Sequence, residues 1–201
     1  LKYFLLLIIY YRRFLFSLLV DKGLRPRKAA LDALKAVGAG AYADIALDRT
    51  FRSSNLSALD RGLVTELAYG CIRQRYFLDC WIDYLAKIPA KKQNPLLRLL
   101  LHLGLYQILK MGKIPSSAAV NTTVELVKNN NLAALAPVVN AILRSAVRAK
   151  NNGDGPPLPS DCYKRIAFQQ SFPLWLVSDL ISWKGELDAE GIAQAANSVP
   201  S

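Results

Sequence analysis

"LGLYQILKMGKIPSSAAVNTTVELVK", residues 103–128, is apolar enough for one long helix, yet Gly112 and Pro115 stand in its middle. Proline disfavours a helical conformation for the residue before it, so Ile114 cannot continue the first half. Glycine commonly closes helices and serine commonly opens them, which predicts an end at Gly112 and a new helix capped by Ser116 or Ser117. The stretch is therefore a tight helix-to-helix corner. In its second half Val120, Val124 and Val127 make an inward stripe, with Asn121 and Thr122 beside it.

Upstream of the corner, residues 96–111 are apolar almost all round, with Arg98, His102 and Tyr106 forming a narrow polar strip at i, i+4, i+8. A helix of that kind sits in the middle of a bundle. His102 reads as structural, because neither a second histidine nor a nearby carboxylate accompanies it. Downstream, "APVVNAILRSAVRAK" (136–150) places Pro137 in a first turn, Val139, Ile142, Leu143 and Ala146 inward, and Arg144, Arg148 and Lys150 outward. Asn121 and Asn140 are expected to cross-link neighbouring helices.

Towards the N-terminus, helical spacing begins at Pro26 with Ala30, Leu31, Leu34 and Val37, and Gly38-Ala39-Gly40 ends it. Ile45, Leu47 and Phe51 suggest a second, short helix. "SALDRGLVTELAYGCIRQRYFLDCWIDYLA" (57–86) opens on a Ser57-x-x-Asp60 capping pair and carries two apolar stripes, with a bend expected at Arg73 to Arg75. Residues 89–94 are a polar connection, and Pro95 fits the first turn of the central helix. No run alternates long enough to build a sheet, so the fold class is all-α. A Gly/Pro/Asn stretch at 151–161 has linker composition, and 163–170, 173–184 and 187–197 read as three short helices of a different unit.

Charge divides at the same place. Residues 1–150 hold 23 Lys and Arg against 9 Asp and Glu, whereas 151–201 hold 3 against 6. A basic excess confined to one part suits a polyanion, most often nucleic acid, whose counterions are released on binding. Arg25, Arg27 and Lys28 crowd the opening turn of the first helix, where the macrodipole disfavours cations, so an anionic partner is the expected reason. The candidate RNA-binding residues are Arg25, Arg27, Lys28, Arg73, Arg75, Arg144, Arg148 and Lys150.

Three cysteines and one histidine are too few for a zinc cage, so no metal is expected, and unpaired thiols point to the cytoplasm. "LKYFLLLIIYYRRFLFSLLV" (1–20) has an apolar run far short of the about 20 residues a membrane span needs. Arg12 and Arg13 interrupt it. The segment up to residue 23 is expected to be an apolar extension outside the fold, and a membrane-bound protein is disfavoured.

These features converge on a family. "LDRGLVTELAYGCIR" (59–73), "LLRLLLHLGLYQILKMGKIPSSAAVNTTVELVK" (96–128), "VVNAILR" (138–144) and "SFPLWLVSDLISWKG" (171–185) together resemble the NusB-like amino-terminal domain of the RsmB (Sun, Fmu) family of ribosomal RNA 5-methylcytosine methyltransferases, over about residues 24–200. Where that family often has an acidic residue after the first Asn, this chain has Thr122. The resemblance implies a NusB-like bundle of about seven helices over 24–150 that binds ribosomal RNA. A linker (151–161) and the helical start of a second, RNA-binding region (162–201) would follow. It also implies S-adenosylmethionine for the full-length protein, bound by a catalytic domain absent from these residues. Here Gly38-Ala39-Gly40 and Gly153-Asp154-Gly155 both follow helices, so no cofactor loop and no catalytic residue is assigned. The alternative is a NusB-type transcription antitermination factor that binds RNA and a ribosomal protein. Residues 151–201 favour the methyltransferase.

Overall fold

The computed structural model describes residues 23–197; the expectations for 1–22 and for the last four residues lie outside that range. Seven helices come first: α1 (23–38), α2 (Ala43–Ser53), α3 (Ala58–Arg73), α4 (Arg75–Leu85), α5 (Pro95–Lys110), α6 (Ser116–Asn129) and α7 (Ala136–Asn152). Short 3-10 turns at Ala90–Lys92 and Ala133–Leu135 precede α5 and α7. Three more helices follow: α8 (Cys162–Gln170), α9 (Leu174–Lys184) and α10 (Glu186–Asn197). The described chain contains no strand, and no described helix is long and apolar enough to cross a membrane.

The all-round apolar sequence of α5 explains its position. Asn94 caps it, its side chain accepting from the N–H groups of Leu96 and Leu97, and every residue from Leu100 to Ile108 is buried. It packs against α3, α4, α6 and α7 at once. Two glycines permit the close approaches. At Gly70 in α3 an added Cβ would lie 2.0 Å from Cζ of Tyr106, and at Gly104 in α5 it would lie 2.8 Å from the methyl groups of Leu143. Tyr106 is held there by its hydroxyl, which donates to Glu66.

The corner forms, with different chemistry from that expected. α5 ends at Lys110 with Met111 as its cap, two residues before Gly112, and neither Ser116 nor Ser117 caps α6. Pro115 holds the capping position with extended backbone (φ −58°, ψ 132°) and without a side-chain hydrogen bond, so its fixed φ sets the entry to the helix while no serine oxygen caps its first turn. The buried face of α6 is Ala119, Val120, Thr122, Thr123, Leu126 and Val127, with Val124 only half-buried. Thr122 and Thr123 tolerate burial because their hydroxyls donate back to the carbonyls of Ala118 (2.7 Å) and Ala119 (2.8 Å). Asn121 is exposed, and Asn140 accepts from Arg144 on its own helix, so neither asparagine cross-links helices. In α2 Ala46 and Leu47 are buried while Ile45 faces out.

The bend at Arg73 to Arg75 is a break at Gln74, which closes α3 and opens α4 with no side-chain cap. The Phe77 N–H, in the first turn of α4, donates instead to the Ser171 hydroxyl 3.1 Å away, ninety-four residues along the chain. Ser171 is itself in the left-handed region (φ 56°) at the end of α8. Phe77 also meets Phe168 at 5.4 Å between ring centroids. The last three helices thus enclose a small core of their own, Ile166, Ala167, Val177 and Ala193, and lean on α4 through Tyr76 and Phe77.

The strip on α5 pairs across to α4. Asp79 accepts from Arg98 Nε at 2.7 Å and lies 2.8 Å from His102 Nε2, so the carboxylate missing from the local sequence is supplied by a different helix. Burial alone would raise the Asp79 pKa, but the hydrogen bonds and charges of His102 and Arg98 outweigh it and hold the carboxyl lowered. Burial pulls His102 down, and the charges of Arg98 and Arg75 add to that against the pull of Asp79. The triad reads as a buried polar tie between two helices.

Candidate nucleic-acid interface

Helix α1 is already formed at residue 23, before Pro26, and its first described turn is set by burial. Arg27 is 5% exposed, its Nε donating to Gln107 Oε1 at 2.6 Å and its Nη1 to the Gly23 carbonyl at 2.7 Å. The explanation offered for three cations in that turn therefore fails for Arg27: its partner is Gln107 of α5, and burial lowers its pKa. Arg25 and Lys28 remain exposed. They line a cleft of about 340 Å³ between α1 and the α2–α3 connection, together with Asp32 and with Thr50, Ser53 and Asn55.

The second cleft, about 330 Å³, lies between the start of α6 and the second half of α7, where Arg144 and Arg148 face Ser116, Ser117 and Asn121. Arg144 Nε donates to Asn140 (3.0 Å) and Arg148 Nη2 to Ser145 (2.8 Å), and neither arginine meets a carboxylate among the described residues. Lys150, exposed along most of its length, turns its Nζ onto the carbonyl of Ile108 at the end of α5. That contact stabilises a helix C-terminus.

Both clefts lie at one end of the bundle. The start of α1 is tied to the far part of α5 by Arg27 and Gln107, and a Cβ on Gly23 would stand 3.8 Å from Thr122 in the first half of α6. The same end holds the finish of α7, where Lys150 reaches Ile108. Arg73 and Arg75 are exposed but stand apart: Arg75 lines a small cleft of about 90 Å³ with Val37, Gly38, Leu99 and His102, against the finish of α1 and the first half of α5. The eight basic residues thus divide into a paired group at one end, two arginines elsewhere, and one buried arginine.

Sequence reading missed the hydroxyl and amide residues opposite the cations. "TFRSSN" (50–55) looks like ordinary turn composition, and the serines of the corner look like caps. Only the folded chain sets them across from arginines. Among the described residues no group of three His, Cys, Asp or Glu could hold a metal ion. The three thiols are free, and burial, with Glu66 second, pushes Cys71 up, which leaves it an inert core residue.

Residues 24–148 match the family described as the NusB family. A Synechocystis protein named probable ribosomal RNA small subunit methyltransferase B is 39% identical over 160 residues, covering 80% of this chain and 35% of that protein. A Bacillus subtilis protein of the same name is 35% identical over 172 residues, 84% of this chain and 37% of its own length. The ribosomal RNA small subunit methyltransferase B of Pseudomonas putida is 30% identical over 177 residues, 88% of this chain and 39% of its own length. The chain thus spans a little over a third of the length of these relatives. The crystal structure of PH0851 superposes with a TM-score of 0.69 at 14% identity, over 89% of this chain and 39% of that one, a likeness of fold.

Proposed function

The chain belongs to the NusB family, and from that premise we propose that it is the RNA-binding part of a ribosomal RNA cytosine-C5 methyltransferase, acting in the cytoplasm. The observation that carries this reading is the pair of basic clefts at one end of the bundle, whose exposed cations Arg25, Lys28, Arg144 and Arg148 have no carboxylate partner among the described residues. Unpaired cations suit a phosphate backbone, and in the α6–α7 cleft the hydroxyls of Ser116 and Ser117 and the amide of Asn121 stand across from them. In this reading the bundle positions small-subunit ribosomal RNA, and 162–201 begin a second region on the methyltransferase side. In this reading S-adenosylmethionine serves the full-length protein as methyl donor, which the methyltransferase names of the relatives support. The antitermination alternative is less well supported, because the named relatives align across 160 to 177 residues, beyond the bundle itself.

Filter-binding titrations of a ribosomal RNA fragment at several salt concentrations test this. The double variant R25A/K28A should bind more weakly, with its logarithmic salt slope flattened by roughly 0.7 to 0.9 for each lost phosphate contact. Variant K91A/K92A, changed in the exposed turn before α5, should retain the slope. Equal losses in both would mean diffuse attraction, and an unchanged slope in R25A/K28A would remove the start of α1 from the RNA surface.

A further inference from the structure

The cleft between α6 and α7 differs in kind from the cleft on α1. It contains two arginines and no carboxylate, whereas Asp32 is among the residues lining the other. Opposite the arginines stand Ser116, Ser117 and Asn121, whose side chains make no hydrogen bond within the described residues. Each guanidinium uses one nitrogen on its own helix, Arg144 through Nε and Arg148 through Nη2. Arg144 therefore keeps both terminal nitrogens and Arg148 keeps Nε and Nη1. Such forks match a tetrahedral oxyanion, and short hydroxyls and an amide complete its donor set. The volume, about 330 Å³, accommodates a phosphate group with its ester substituents.

From this geometry we infer that the α6–α7 cleft is a seat for one phosphate of the RNA backbone, with Arg144 and Arg148 gripping its non-bridging oxygens and Ser116, Ser117 and Asn121 donating from the other wall. The inference rests on the RNA-binding reading above and makes it specific: the second cleft fixes the register of the strand, while Arg25 and Lys28 supply a separate contact. No base identity is read there, because every donor serves the backbone.

The test uses the full chain and two ligands, inorganic phosphate and a single-stranded ribosomal RNA fragment, followed by amide and arginine Nε resonances. Both ligands should shift the Ser117, Asn121 and Arg144 signals saturably. Variant R144Q/R148Q should lose those shifts, keep the rest of its spectrum, and flatten the RNA salt slope by about 0.7, one single-strand phosphate. Variant R25Q/K28Q should keep the shifts at the cleft. Shifts that fail to saturate, or that persist in R144Q/R148Q, overturn the inference. RNA binding whose slope is unchanged in R144Q/R148Q and falls in R25Q/K28Q also overturns the cleft while sustaining the RNA reading. Saturable phosphate without any RNA binding has the opposite meaning: it overturns the RNA reading and leaves the cleft an oxyanion site.

Discussion

The bundle of α1 to α7 and the three helices after it are built from similar residues to very different depth. Around α5 a continuous core runs from Ala29 to Ala149, with Leu100, Leu101, Leu103 and Leu105 wholly enclosed. Helices α8 to α10 bury five apolar residues, three of them within α8 and α9, and leave Trp175 66% and Trp183 71% exposed. Helix α9 is the more apolar by sequence, "LWLVSDLISWK", yet only Val177 in it is buried. Apolar composition supplies a reason to bury surface, and the number of neighbouring elements decides how much is buried. The small unit depends on α4 for part of its enclosure, through Tyr76, Phe77 and the Ser171 hydroxyl.

That contrast can be broken most forcefully at the two cores. Replacing Leu101 by Ala should cost about 2–5 kcal/mol and lower the melting transition of the whole bundle, because Leu101 is wholly buried in the central helix that α3, α4, α6 and α7 all pack against. Val177→Ala should loosen α8 to α10 alone, with hydrogen exchange in α3, α5 and α6 unchanged. Equal protection loss in both regions would show that they fold as one cooperative unit.

A more local cut separates them at the junction. Ser171→Ala leaves the Phe77 N–H without its acceptor and should cost about 1–2 kcal/mol, as lost helix caps do, felt as faster exchange in α8 to α10 and the first turn of α4. Unaltered exchange at Phe77 would mean that this amide finds water instead.

The smallest effect concerns acid. His102, the chain's one histidine, lies in the bundle and has a lowered pKa, so as pH falls below about 6.5 the unfolded chain takes up a proton that the folded one refuses. Stability is therefore lost on acidification from that point, by at most about 0.7 kcal/mol between pH 7 and 6. Asp79 is also lowered, and its contribution persists until pH falls below the ordinary carboxylate value. Thermal melts over this range should slope in the native protein and flatten in His102→Gln. A slope surviving in that variant would assign the window to another group.

Much of the architecture was written locally. The all-round apolar character of 96–111 placed α5 at the centre, Pro95, Pro115 and Pro137 marked helix starts, and Ser57 with Asp60 formed the expected cap, the Asp60 N–H donating to Ser57 at 3.2 Å. Periodicity and proline act within a few residues, so the sequence carries them without further help. The same locality limited the corner, where Pro115 took the capping position assigned to the serines without a side-chain hydrogen bond.

What the chain order could not contain is pairing across distance. The Asp79 partner of His102, the capture of Arg27 by Gln107, and the cap that Ser171 gives α4 all join residues from different helices. The candidate site followed the same rule: the basic residues were visible one by one, while their division into two clefts and the inward turn of Arg27 were not. A charged side chain carries no sign of the face it will occupy when its helix packs. Only the packing of α1, α6 and α7 against α5 decides which guanidinium is spent inside the fold and which is left for a ligand.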